Sequence, residues 1–255
     1  MRLDALLSKE GVFSSRTKAS QAIAEGKVLF NGEPAKPSLD VEDLSLVTVL
    51  DKKDAFVSNG GYKLQKAFDD FNYSPKGLVF ADIGASNGGF TDCLLKNGAT
   101  KVFAVDVGET QLDETLLNND KVVVVDNTNA RFLDESILGE RVDGVSVDVS
   151  FISVTYILSG IKNVLKESGV AFILIKPQFE CGKEYLGNSG IVKSASARHS
   201  AIKKVYDACK VAGFFAVDIT VAPMREKKNV EYVLMLKNGD NSVNLSVEAI
   251  INKIR

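Results

Sequence analysis

Between Leu78 and Leu95 the chain reads LVFADIGASNGGFTDCLL. An apolar run closes on an acid and a glycine, small residues follow, and an amphipathic run begins near Gly88. That order describes a strand passing through a tight loop into a helix, where free N–H groups at the strand's carboxyl end can receive a ligand. Gly84, Gly88 and Gly89 let backbone approach such a ligand with no Cβ in the way. The dinucleotide fingerprint is G-x-G-x-x-G, but here Ser86 replaces the second glycine and the order is G-x-S-x-G-G. Asp82 precedes the first glycine by two positions. A carboxylate there suits a cationic, ammonium-bearing ligand and opposes a pyrophosphate. The loop therefore favours S-adenosylmethionine over a nicotinamide dinucleotide. Asp106, closing the next apolar run, is placed for hydrogen bonds to both ribose hydroxyls. The competing reading, a tight turn with no ligand, is weakened by these two acids.

The loop needs a sheet to hold it. Short apolar runs recur at Leu78–Ile83, Lys101–Asp106, Lys121–Val125, Val142–Asp148 and Val170–Lys176, and helically periodic segments near 88–97, 110–118, 153–166 and 195–212 separate or follow them. This alternation predicts a parallel sheet covered by helices on both faces. Phe214–Thr220 and Val230–Leu236 read as two closing strands joined directly, hence an antiparallel edge. Residues 60–71 predict an extra helix before the first strand, and Ser246 predicts the cap of a terminal one.

The first fifty residues have another rhythm. Residues 2–7 and 16–25 have helical spacing, Val28–Phe30 reads as a strand, Asn31-Gly32 as a turn with a return after Pro37, and Val47–Leu50 as one more short strand. The polar run Asp51–Asp54 reads as a linker.

Composition bounds the class. The 255 residues are 45% hydrophobic and 25% charged, which suits a soluble globular protein with one large domain and a small extra one. The longest apolar stretches, such as Val170–Ile175, are too short to span a bilayer. The beginning, MRLDALLSKEGVF, has no signal-peptide core, and Cys93, Cys181 and Cys209 form no CxxC pair; a cytoplasmic protein with reduced thiols is expected. His199 is the one histidine and gives no metal spacing with those cysteines, so no metal is expected. Net charge is −2, but unevenly spread: residues 1–30 carry five Lys/Arg against three acids and 193–228 eight against three, while 106–148 carry three against eleven. Two basic surfaces separated by an acidic stretch suit a polyanion that touches part of the molecule, although solvated helix faces give the same counts.

Several motifs together carry a resemblance. DIGASNGGFTDCLL (82–95), AVDV followed by G-x-x-Q-L (104–112), NAR (129–131), DVSFIS (148–153), IKPQFE (175–180) and NVEY (229–232) resemble the TlyA family, ribosomal RNA 2′-O-methyltransferases often named hemolysins, with an FtsJ-type catalytic domain. The N-terminal R-L-D-x-x-L, S-S-R-x-x-A and G-x-V-x-x-N-G pattern resembles a small RNA-binding domain found in a ribosomal small-subunit protein.

The resemblance implies a Rossmann-like α/β methyltransferase domain, with a mostly parallel seven-stranded sheet and an antiparallel edge strand, behind a small N-terminal α/β RNA-binding domain. It divides the chain into an RNA-binding domain at 1–53, a linker at 54–59, the methyltransferase domain at 60–240 and a C-terminal helix or tail at 241–255. It implies S-adenosylmethionine as cofactor, with Asp82, Gly84, Ala85, Ser86, Gly88, Gly89, Phe90, Thr91, Asp106, Val107, Asp126, Asn127 and Asp148 around it. It implies a catalytic tetrad of Lys63, Asp148, Lys176 and Glu231, and ribosomal RNA or ribosomal subunits as partner. The residues fit independently. Asp148 and Lys176 close the fourth and fifth strands, on the rim where ligands bind. Glu231 lies in an apolar strand, where a carboxylate needs a partner. Taken singly, each is equally a strand-end charge facing water. Arg2, Arg16, Lys18 and Lys27 are the phosphate contacts expected of the N-terminal module.

The chain departs from the family pattern at three places: Asn59 stands where arginine is usual, Asp126 where glutamate is usual, and residues 222–231 are more charged. None of these replaces a tetrad residue. Two further classes compete. A membrane-lytic protein needs a long apolar or amphipathic segment and an export route, and neither is visible. An idle RNA-binding assembly factor would keep the basic surfaces and lose the tetrad, which is present. The nucleotide modified, probed by shape and by unpaired bases, is spread over surfaces that a sequence does not delimit; the resemblance points to a cytidine.

Overall fold

The computed structural model describes residues 1–13, 15–50, 56–109, 111–187, 189–223, 228–239, 242 and 244–254. Helices α1 (Leu3–Lys9) and α2 (Arg16–Ala24) are followed by strands β1 (Val28–Phe30), β2 (Glu33–Pro34) and β3 (Val47–Val49), in sheet order β2-β1-β3. Ser15 caps α2 by accepting from the Lys18 amide. Leu3, Leu6 and Leu7 of α1 pack with Ala19, Ala22 and Ile23 of α2 and with Val28 and Val41, a core separate from the others. The return strand starts at Glu33, earlier than the sequence reading, which placed it after Pro37. Asn31 (φ +51°) and Gly32 (φ +80°) form a two-residue turn that sends the chain straight back. Pro34 is tolerated because β2 is an edge strand, where a missing N–H breaks no ladder.

The larger sheet follows α3 (Gly60–Asp70). Its chain order is β4 (Val79–Ile83), α4 (Gly89–Lys96), β5 (Lys101–Val105), α5 (Glu114–Leu117), β6 (Val122–Val125), α6 (Glu135–Leu138), β7 (Val142–Val147), α7 (Leu158–Val164), β8 (Leu165–Ile175), α8 (Pro177–Glu180), α9 (Ala195–Val211), β9 (Phe214–Val221), β10 (Tyr232–Asn238) and α10 (Val247–Asn252). The seven strands lie in the order β6-β5-β4-β7-β8-β10-β9. β4 to β8 are mutually parallel, and β10 runs antiparallel between β8 and β9. Ser246 caps α10 by accepting from the Ala249 amide.

Two core layers sandwich this sheet. One holds Ile83, Val105, Val145, Ile173 and Leu234 against Ile161, Ile202 and Val205. The other holds Phe80, Phe172 and Val233 against Leu64 and Phe68 of α3 and Leu94 of α4. The Phe172 ring meets Phe68 and Tyr73 edge-on, at centroid separations of 5.2 and 4.9 Å. β8 starts five residues before the expected Val170, because Leu165 pairs with Val142 across a register shift and carries the polar stretch 166–168 into the strand. The segment expected as a helix over 110–118 shortens to α5, capped by Asp113; Thr110 lies outside the described residues. So do residues 51–55, with the polar run 51–54 and the first two residues of the linker expected at 54–59, and residues 224–227 of the charged segment before β10.

The chain runs outward from β4 to β6, then returns to β7 on the other side. The reversal opens a crevice between the carboxyl ends of β4 and β7, where open α/β sheets take ligands.

Candidate active site

The loop after β4 occupies that crevice. The Gly84 amide donates to Val105 O at 2.8 Å and the Asp148 amide to Ile83 O at 2.9 Å, so three strand ends meet there. Gly84 has φ +81°, and a Cβ on it would stand 2.8 Å from Asp148 O. Gly88 has φ +88° as the N-terminal residue of the α4 turn, and a Cβ there would strike Leu116 Cδ1 at 2.2 Å. Glycine at both positions keeps the loop thin against its neighbours. Gly84, Ala85, Ser86, Gly89 and Phe90 line a cavity of about 530 Å³, within the range of small-molecule sites.

Asp82, expected to meet a cationic ligand, does not line this cavity. It is wholly buried beneath the loop, where Oδ2 accepts from Thr91 Oγ1 at 2.7 Å and Oδ1 from Ser146 Oγ at 2.8 Å. Burial pushes its carboxyl up to about 7, against the pull of those two hydroxyls. Asp82 therefore ties the first turn of α4 to β7 and underpins the loop. Asp106 also holds the loop: Oδ2 accepts from the Ser86 amide at 2.9 Å and Oδ1 from the Gly108 amide at 3.2 Å. Asn127, at φ +50°, donates its amide to Gly108 O at 3.0 Å, joining the loops after β5 and β6. Asp126 is half-buried there, and Asn127 and Val107 are exposed. Gly88, Thr91, Asp106, Val107, Asp126 and Asn127 stand around the loop without lining the cavity itself.

Four charged side chains, remote in sequence, converge on the other wall. Lys63 comes from the first turn of α3, Asp148 from the end of β7, Lys176 from the end of β8 and Glu231 from the residue before β10. Lys63 Nζ is 2.7 Å from Glu231 Oε2 and 4.0 Å from Asp148 Oδ2, and Lys176 Nζ is 2.5 Å from Asp148 Oδ1. Lys176 is 8% exposed, so its ammonium is largely withdrawn from water and depends on these partners. It also donates to Ser150 Oγ at 2.7 Å. The result is a chain of contacts from Ser150 through Lys176, Asp148 and Lys63 to Glu231, with two positive and two negative charges. All five residues line the cavity.

Two features were missed in the sequence. Ser150 sits inside a motif but no spacing rule marks it. Phe151 has φ +67° and is 88% exposed, with its ring centroid 5.4 Å from that of Phe179. A bulky residue held in the left-handed region with its ring facing water carries a conformational and solvation cost. Nothing in a sequence distinguishes such a phenylalanine from a core one.

The N-terminal module abuts this site. Pro34 lines the cavity, the Tyr62 hydroxyl donates to Gly26 O, Asn59 Nδ2 donates to Ala24 O at 3.3 Å, and Lys66 pairs with Glu33 at 3.9 Å. Asn59, which departs from the family pattern, thus bridges module and catalytic sheet. Of the basic residues expected to meet phosphate, Arg2 and Arg16 both pair with Asp4, Lys27 pairs with Glu25, and Lys18 is exposed on α2. Among the described residues no cluster of His, Cys, Asp or Glu could hold a metal, and no helix is long and apolar enough to cross a membrane.

Comparison with known proteins agrees with this geometry. The profile of FtsJ-like methyltransferases matches residues 56–238, and that of the S4 domain residues 1–43. The chain is 39% identical over 239 residues to the 16S/23S rRNA (cytidine-2'-O)-methyltransferase TlyA of Mycobacterium tuberculosis, covering 92% of this chain and 89% of that one. It superposes on a hemolysin-named protein of Streptococcus thermophilus with a TM-score of 0.73 at 35% identity, covering 99% of this chain and 94% of that one. At 18% identity and a TM-score of 0.53, covering 71% of this chain and 79% of that one, the fold alone is shared with a Burkholderia thailandensis N1-methyltransferase that holds S-adenosylhomocysteine.

Proposed function

The chain belongs to the FtsJ-like methyltransferase family and carries an N-terminal S4 domain, and on that premise we propose that it methylates the 2′-hydroxyl of a ribose, that of a cytidine, in ribosomal RNA. The observation that carries this reading is the junction of Lys63, Asp148, Lys176 and Glu231 on one wall of the cavity whose other wall is the Gly84–Phe90 loop.

The glycine cradle fits S-adenosylmethionine, since a Cβ at Gly84 or Gly88 would collide with neighbouring groups and thicken the loop. Gly84, Ala85, Ser86, Gly89 and Phe90 would hold it, with Asp106, Val107, Asp126 and Asn127 toward its nucleoside end and Asp82, Gly88 and Thr91 supporting the loop from below. Bound there, it supplies a methyl carbon already activated by its sulfonium. The protein's task is then to hold the ribose oxygen in line and manage one proton.

Lys176 is the group for that task. Its Nζ is held in the cavity wall, 2.5 Å from Asp148 Oδ1 and 2.7 Å from Ser150 Oγ. Lys176 donates a hydrogen bond that orients the 2′-oxygen; as the O–CH3 bond forms and the S–CH3 bond of the sulfonium breaks, the hydroxyl proton is released to solvent. Asp148 fixes Lys176, and Lys63 with Glu231 holds Asp148 from the far side. Phe151 offers an exposed ring on which an unstacked base can lie. The S4 module adds affinity through Arg2, Arg16, Lys18 and Lys27, which contact phosphate and carry no base reading. The substrate is met as a ribosomal subunit in the cytoplasm.

Transfer of labelled methyl from S-adenosylmethionine to ribosomal subunits, intact ribosomes and free rRNA, beside Lys176→Met, tests this. Label fixed on ribose and absent in the variant supports it. S-adenosylmethionine binding and salt-sensitive RNA binding with no label in any particle would instead identify an idle RNA-binding assembly factor.

A further inference from the structure

Asp4 is 3% exposed and stands in the first turn of α1 between two half-exposed guanidinium groups. Arg2 Nε donates to Asp4 Oδ1 at 3.1 Å and Arg2 Nη2 to Oδ2 at 2.9 Å, while Arg16 Nε donates to Oδ2 at 3.1 Å. Arg2 is the residue before α1 and Arg16 the first of α2, so one carboxylate gathers both helix starts. The two guanidinium groups hold its carboxyl down at about 2.

Such a triad is a poor way to pack two helices. Withdrawing a carboxylate from water costs heavily, and apolar side chains of similar volume commonly join helices as well or better. What the triad supplies is direction. A guanidinium is a planar fork of five N–H donors, and its aim is set once Nε is engaged. Arg16 spends only Nε on Asp4; its side chain is 57% exposed and its Nη groups have no partner among the described residues. Arg2 is 46% exposed beside it. Two guanidinium groups against one carboxylate leave the cluster net positive, and Lys18, exposed in the same turn of α2 as Arg16, adds to it. A guanidinium fork aimed in this way matches the oxygens of a phosphodiester.

We propose that Asp4 is a positioning residue for RNA, which presets the Nη fork of Arg16, beside the Arg2 guanidinium, for one backbone phosphate. The proposal rests on reading the N-terminal module as an RNA-binding unit. It makes an acidic residue favourable for binding a polyanion, and so predicts an effect opposite in sign to that of charge alone.

The test is a salt series of RNA-binding titrations with the full-length chain and free rRNA, alongside calorimetric titration with S-adenosylmethionine. Asp4→Asn removes a negative charge, so simple electrostatics demands tighter binding. Positioning demands binding roughly three- to tenfold weaker, with a salt slope shallower by about one and the S-adenosylmethionine affinity unchanged. Equal or tighter binding by Asp4→Asn overturns the proposal. Arg16→Lys guards against loss of the module's fold, because it keeps the charge at an exposed position but removes the fork. It too is expected to bind more weakly; wild-type affinity would overturn the proposal even if Asp4→Asn unfolds. If the wild-type chain shows no salt-dependent RNA binding, the RNA reading falls and this proposal with it, whereas wild-type binding with undiminished variants sinks this proposal alone.

Discussion

The Asp148 carboxylate stands 2.5 Å from the Lys176 ammonium, although 28 positions separate them in sequence. The two residues end adjacent parallel strands, β7 and β8, whose pairing fixes how closely they approach. Lys176 is buried, and Asp148 supplies the opposite charge beside it. A Lys176→Met enzyme should lose methyl transfer by about a hundredfold or more while binding S-adenosylmethionine within a few-fold of wild type. Asp148→Asn should lower turnover similarly by releasing the same ammonium. Single-turnover methylation beside calorimetry separates the two quantities, and a Lys176→Met variant with wild-type turnover would remove this residue from the mechanism.

Phe151, next in sequence to the cavity-lining Ser150, presents its ring to solvent. If a base stacks there, Phe151→Ala should raise the KM for RNA about tenfold, in line with about 1–3 kcal/mol per stacked base, and leave S-adenosylmethionine binding alone. Phe151→Leu should not restore it, because an aliphatic side chain fills space without a π face. Equal KM values for the leucine variant and the wild type would argue that bulk alone is used.

Glu180 secures the segment that follows Lys176 to the segment that follows Asp148. It is 6% exposed and accepts from Ser153 Oγ at 2.5 Å, the Val154 amide at 2.8 Å and Lys204 Nζ at 3.2 Å. Glu180→Ala leaves those donors facing a hole and should destabilise the fold by about 3 kcal/mol, read from denaturant midpoints. A loss under about 0.5 kcal/mol would mean that the cluster is solvated rather than buried.

Asp82 makes stability depend on pH in an unusual direction. Its carboxyl titrates near 7 in the fold, above the 3.8 of an ordinary aspartate, so the folded chain binds that proton more tightly than the unfolded chain. The resulting stabilisation is complete below pH 3.8 and is lost as pH rises through about 7. Melting temperatures recorded from pH 5 to 8 should therefore fall more for the wild type than for Asp82→Asn, which has no proton to lose there. Parallel curves for the two would show that the carboxylate stays ionised throughout.

Much of the fold was legible from local signals. The alternation of apolar runs and helical segments gave the parallel sheet, and the Asn31-Gly32 turn gave the small hairpin, because both patterns follow from side-chain period and backbone sterics acting over a few residues. The Gly84–Phe90 loop and the strand-end positions of Asp148 and Lys176 were legible for the same reason. Less local details were misplaced. The start of β8 depends on pairing with Val142, and the length of β2 depends on what faces it across the sheet.

The sequence by itself determined which residue types stand at the ends of which strands, since that is a matter of order along the chain. Only the tertiary structure decided which of them meet. The sheet order brings Lys63 and Glu231, 168 positions apart, to 2.7 Å, and puts Ser150 on Lys176. It turned Asp82 inward to Thr91 and Ser146, and it clasped Arg2 and Arg16 on Asp4. A carboxylate looks the same in the sequence whether it faces a cavity or lies beneath one. Its surroundings are set by segments far away in the chain, and packing alone places these against it.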